Sequence, residues 1–425
     1  MHTSIFRTLV AAGVAALVLA ACDVEQILKV ESPTRIPADE LERSPANAAL
    51  LVDGAVADFD CAFQSFVVVG GLIGEELDDY TQTAARWPYD RRDVQSNQTL
   101  YSTSSCEGIG VYAPLQTARV SANNVKRLLQ QWTDAEVPGR AVLIARATAY
   151  EAWSQFLLAE GFCSTVFSTV ANGVFDYGPE LARQAALGVA EATFTEAITA
   201  AQTASGASAD SIRFLALLGR ARVRLDLGNL AGARSDAALV PANFVFHSTA
   251  SAVSGRRNNR VYAESNAIGV SSTVGTRYRD LNDPRVPVQN LNRTNALNVQ
   301  AWAQLKYASA AAPIPIATGA EAQLIIAEAD AATNAANAVA IINTFRAAGN
   351  QGAYTGPTDA ASLKAEVIEQ RRRALFLTGT HLGDLIRYDI APQPAAGAAY
   401  PAGLTYGTQL CLPLPDVEKL NNPIL

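Results

Sequence analysis

Apolar residues spaced three and four apart recur in this chain segment after segment, a pattern that only packed helices use well. Leu115, Ala118, Ala122, Val125, Leu129 and Trp132 fall on one helical face, and Ala145, Ala149, Ala152, Phe156 and Ala159 on the next. The same spacing predicts helices near 187–203 (Leu187, Ala190, Phe194, Ile198, Ala201) and 211–227 (Phe214, Leu218, Ala221, Leu225). Three more follow near 320–333, 336–348 and 361–377. Ser44 and Pro45 suit an N-cap and first turn, opening a helix with Leu51, Ala55 and Phe59 on one side. Hydrophobic residues make up 49% of the chain, enough to cover such faces and to exclude whole-chain disorder.

Small residues along these stripes let neighbouring helices approach closely. Gly228 can take the left-handed conformation that ends a helix. The following Asn229-Leu230 and Ala233 resemble the turn inside a tetratricopeptide repeat, although the repeat's Trp and Tyr positions are absent. The expected fold is all-α, a tetratricopeptide-repeat-like helical superhelix with loop-rich insertions. Residues 60–110 read as irregular, and about 241–318 as one long insertion that includes Arg256-Arg257-Asn258-Asn259-Arg260.

The N-terminus carries a second kind of information. After Arg7, an apolar run extends from Leu9 to Ala21, shorter than the roughly 20 residues a spanning helix needs. It has the length of a signal-peptide core and ends in Leu19-Ala20-Ala21-Cys22, which resembles a bacterial lipobox. That resemblance implies removal of 1–21, acylation of Cys22 and a membrane-held chain. Residues 22–44 then read as a tether and 45–425 as a single domain, with no further run apolar enough to span a bilayer. A formal charge of −7 without a basic block is a poor match for phosphate backbones, so no nucleic-acid partner is expected. Three His, one of them in the leader, leave no multi-histidine metal site, and no cofactor is expected. The other four cysteines can pair in three ways. Joining near neighbours first favours Cys61 with Cys106, and Cys163 with Cys411.

No Gly-rich phosphate loop, GxSxG or HExxH is present, and no enzyme is expected. Glu75-Glu76 and Asp78-Asp79 supply the carboxylate pairs a glycosidase needs, yet consecutive acids near glycines are ordinarily solvated. Binding is the stronger expectation. Asp78, Asp79, Tyr80, Trp87, Tyr89, Arg91 and Arg92 bring aromatic faces for sugar rings together with groups for hydroxyls, and Trp302 is a further candidate. The competing reading is that Trp87 and Tyr89 only cover the helical core. Arg371, Arg372 and Arg373 read as a salt-bridging helix face, and Asp384 with Arg387 as an i,i+3 pair.

Several stretches together resemble the SusD/RagB family of outer-membrane nutrient-binding lipoproteins. They are Ala320-Glu321-Ala322 through Ile326-Ala327-Glu328-Ala329, then Ile342-Asn343-Thr344-Phe345-Arg346 to Gly349, and Ile368-Glu369-Gln370-Arg371-Arg372-Arg373 to Gly379 with Asp384-Leu385-Ile386-Arg387-Tyr388. Asp283-Pro284-Arg285 and Leu412-Pro413-Leu414-Pro415-Asp416 through Glu418 to Asn422-Pro423 continue the match in order. Ala374 and Thr378 depart from the family's usual acidic residues. The resemblance implies a lipoprotein anchored on the outer membrane and facing the cell exterior. It would capture a glycan, oligosaccharide or other small nutrient and deliver it to a SusC-like TonB-dependent β-barrel transporter. The alternative is a periplasm-facing, lipid-anchored helical scaffold that holds another protein.

Overall fold

A computed structural model describes residues 44–171 and 174–425. The expected signal peptide, Cys22 and the tether short of Ser44 lie outside the described residues. The chain divides after Asn47. The described part of the first unit is one 3-10 turn, Pro45–Asn47, and the second unit runs from Ala48 to Leu425.

Among the described residues, ten helices have eight residues or more: α1 (Ala48–Ile73), α2 (Tyr112–Gln131), α3 (Arg140–Gly161), α4 (Arg183–Gln202), α5 (Ala207–Asp226), α6 (Leu230–Ala237), α7 (Gly319–Asp330), α8 (Ala335–Ala348), α9 (Ala360–Ala374) and α10 (His381–Tyr388). From α2 to α9 each helix packs on the one before it, the neighbour-on-neighbour order of a helical-repeat body. The expected all-α, repeat-like architecture is what the chain adopts. Local chemistry sets the helix ends. Gly228 has φ +77° after α5, and the Asn229 side chain accepts from Gly232 N to start α6. The side chains of Thr318, Asn334 and Asp359 cap α7, α8 and α9 in the same way.

Helix α1 corrects two expectations. Residues 60–73 are not irregular, because α1 continues to Ile73 with every residue from Phe59 onward buried. It is also long and apolar enough to suit a membrane span, although no such run was expected beyond the leader. Its apolar sides face α2, α3 and the insertion instead. The polar residues inside it find partners there. Asp60 accepts from Thr249 N (3.1 Å) and Oγ1 (2.6 Å), and Gln64 donates to Ser248 Oγ (3.1 Å). The 241–318 insertion carries small structure of its own. Strands Val245–Ser248 and Ile314–Thr318 pair at its base, and Val288–Thr294 with Gln300–Gln304 form a hairpin. Within its basic cluster, Arg256 pairs with Asp58 and Asn259 caps a short helix, Arg260–Glu264.

Ion pairs run through the interior where the family-like stretches meet. Asp384 on α10 accepts from Arg371 Nε on α9 (2.8 and 3.1 Å) and from Arg387 (2.9 Å). Arg387 also pairs with Glu328 on α7, and Arg222 on α5 with Glu160 and Glu321 (both 3.2 Å). A Cβ at position 383 would sit 2.2 Å from Glu160 Oε1, so a larger residue there would have to displace the Glu160 carboxylate. Burial pushes the Glu160 carboxyl up to about 8. Asp384 is held down at about 2 because Arg371 and Arg387 outweigh its burial. Arg372 and Arg373 pair with Glu369 on their own helix, as a salt-bridging face does.

Cys61 is bonded to Cys106, and Cys163 to Cys411, the arrangement favoured from the sequence, with Cα atoms 5.7 and 5.1 Å apart. The second bridge fastens the C-terminal segment to the end of α3. There Cys163 N donates to Leu412 O and Leu412 N to Gly161 O, both at 2.9 Å.

Candidate functional site

At the end of α1 the chain turns through Gly74 and enters a three-residue strand, Leu77–Asp79, antiparallel to Ser272–Val274. Gly275 lies against this turn and donates to Glu76 O (2.9 Å). A Cβ at position 275 would lie 1.9 Å from Glu75 O, so only glycine permits the approach. The acidic run Glu75–Asp79 is thereby pressed between α1 and the insertion.

The four acids are not the solvated group expected from their spacing. Glu75 is 4% exposed, and Glu76 and Asp79 are fully buried. Each is matched to donors, which is what makes its burial tolerable. Glu75 accepts from Arg277 (3.0 Å) and from Gln393 N, and Glu76 from Leu377 N (2.6 Å). Asp78 accepts from Arg279 (2.8 Å), and Asp79 folds back onto Thr81 Oγ1 and the N–H groups of Gln82 and Thr83. Burial raises the carboxyls of Glu75 and Asp79 and pushes Glu76 up to about 7. One fifth of the Asp78 side chain stays exposed, yet burial of the rest lifts it to about 6 against the pull of Arg279.

Between this run, Thr276-Arg277 and the segment after α10 lies a cleft of about 510 Å³. Its walls are Glu75, Asp78, Thr276, Arg277, Ile390, Ala391, Gln393 and Pro394. Asp78 is the one residue of the expected set among them. Tyr89 is a core residue: its ring is fully buried and its hydroxyl donates to Ile109 O (3.1 Å). Asp79 is a turn-forming group, as its three donors show. Arg92 is 2% exposed, donates to Pro394 O and lies over the Tyr406 ring, so it braces the cleft from behind. Arg91 bonds Thr405 O (3.1 Å) and Asp93 (3.0 Å). Tyr80, Trp87 and Trp302 are half-buried and do not line the cleft. From the sequence Glu75 reads only as one of a glycosidase's carboxylates, and two wall residues are not anticipated, Arg277 and Gln393. Nothing local marks the last two, which come from chain segments remote from the acids.

The residues on this cleft alternate fixed carboxylates with a partly exposed guanidinium and a side-chain amide. Such a surface offers acceptors and donors to a polar, multiply hydroxylated ligand.

No family model matches this sequence, and no curated protein matches it either. Solved structures do match. A SusD homolog from Bacteroides thetaiotaomicron VPI-5482 superposes with a TM-score of 0.70 at 14% identity, over 92% of this chain and 98% of that one. A SusD-like carbohydrate binding protein from Bacteroides vulgatus ATCC 8482 gives 0.69 at 13%, over 90% and 97%. A SusD-like carbohydrate binding protein from Bacteroides fragilis NCTC 9343 gives 0.62 at 15%, over 91% and 99%. The likeness spans about nine-tenths of the chain, and the chain has the SusD-like fold.

Proposed function

We propose that this protein is a non-catalytic carbohydrate-binding lipoprotein, held at the outer membrane through Cys22, that passes its ligand to a SusC-like TonB-dependent barrel. The observation that carries this reading is likeness over nine-tenths of the chain to structures described as carbohydrate-binding. The cleft adds chemistry to it. Glu75 and Asp78 are each held by an arginine, which fixes the orientation of their carboxylates as hydrogen-bond acceptors. A sugar's hydroxyls would bond their remaining lone pairs, with Arg277 and Gln393 donating from the rim.

Screening the mature protein on a glycan array tests this. Binding of at least one oligosaccharide is expected, and Arg277→Ala should weaken it about tenfold, the loss of one charged hydrogen bond. Unchanged binding by a normally folded Arg277→Ala protein would place the ligand elsewhere.

A further inference from the structure

A second cleft, of about 370 Å³, lies on a different part of the surface. It shares no residue with the first. Its floor is Gln116, Arg119 and Val120 on α2 with Val166, Ser168 and Val170, and Glu418 and Asn421 of the C-terminal segment close one side. Over it stands the hairpin of Thr169–Ala171 and Val174–Asp176, which carries Phe175 and, just beyond it, Tyr177. The two rings are parallel within 17°, with centroids 5.8 Å apart, and they are 59% and 36% exposed.

A solvent-facing aromatic pair rimmed by polar groups is the arrangement used to stack flat or ring-shaped ligands. The polar groups fit a ligand without net charge. Arg119 is 2% exposed and makes no ion pair among the described residues, bonding Gln116 Oε1 (2.8 Å) and Ser168 O. The Glu418 carboxylate stands on the same cleft, where it accepts from Tyr112 OH (2.9 Å). An anionic ligand would meet Glu418 and a cationic one Arg119, whereas hydroxyl groups can bond both, and the amides of Gln116 and Asn421 besides.

We propose that this cleft is a second carbohydrate site, taking a neutral oligosaccharide whose sugar rings stack on Phe175 and Tyr177. It stands on its own geometry and not on the cleft at Glu75 and Asp78. Two separate sites on one chain would hold a polysaccharide by multivalency, the second contact forming at high effective concentration once the first is made.

The test is a titration of the mature protein with neutral hexaoses (malto-, cello-, xylo- and mannohexaose), alongside Phe175→Ala/Tyr177→Ala and Arg277→Ala. Both aromatic side chains lie at the surface, Phe175 mostly in solvent and Tyr177 about one-third exposed, so the double variant should melt close to the parent. Binding of at least one neutral hexaose, weakened about tenfold or more in the double variant, is the expected result. Binding that falls only in Arg277→Ala, or no neutral hexaose bound at all, would overturn the second site. Binding that falls only in the double variant would uphold it and remove the first cleft instead.

Discussion

Asp384→Ala should destabilise the folded protein by about 3–5 kcal/mol, the effect of removing one partner from a buried ion pair. Asp384 is 5% exposed, and both Arg371 bonds end on its carboxylate. Arg387 keeps Glu328, and a more distant contact with Asp226, when Asp384 is lost. Among the described residues Arg371 has no other ion pair, so it stays desolvated and uncompensated within α9. Thermal melting should show a Tm lower by roughly 5 °C or more. Replacing both partners with apolar residues, Arg371→Met with Asp384→Leu, should recover much of the loss because no unpaired charge is then buried. Equal damage in the single and double variants would show that the pair itself, and not the orphaned arginine, sets the stability.

The same carboxylate sets a direction with pH. Its folded value, about 2, lies below the ordinary 3.8, so its contribution is complete above about pH 4 and disappears as pH falls through 2. Glu76 and Glu160 act in the opposite sense. Their raised values mean that the folded state binds the proton more tightly, so their burial becomes more costly as pH rises from 4.5 toward 7 and 8.

The second large effect concerns the bridge between Cys163 and Cys411. Its sequence separation is 248, against 45 for Cys61 and Cys106. Constraint of the unfolded chain grows with the loop closed, reaching about 5 kcal/mol for a loop this long, with measured losses typically 2–5 kcal/mol. Cys163→Ser/Cys411→Ser should therefore cost more than Cys61→Ser/Cys106→Ser in chemical denaturation. It should also free the C-terminal segment. That segment braces the first cleft through Gly407 N to Arg91 O (2.6 Å) and Gln409 N to Arg92 O (3.2 Å). Its loss should appear as faster proteolytic clipping after about residue 390. An equal or smaller loss than for the shorter loop would mean that native-state packing, and not chain entropy, governs the bridge.

Helices with one buried face were legible in the sequence to within a few residues: 187–203 is α4, Arg183–Gln202, and 211–227 is α5, Ala207–Asp226. The second half of α1 was not legible, for a physical reason. From Phe59 to Ile73 it is buried on all sides, and a helix without a wet face has no stripe to read. The acids of the candidate site failed differently. Their neighbours along the chain suggest a solvated loop, but the arginines that neutralise them, Arg277 and Arg279, lie about two hundred positions away. The hairpin with Phe175 and Tyr177 drew no attention either, because two aromatics in a polar stretch acquire meaning only when α2 and the C-terminal segment build a cleft beneath them.

The most direct measurement of the central claim is co-purification of the native, lipidated protein from membranes in mild detergent, with partners identified by mass spectrometry. A TonB-dependent β-barrel recovered in stoichiometric amount is the predicted result. A complex that contains other partners and no such barrel would contradict the capture-and-delivery account and favour a periplasm-facing scaffold.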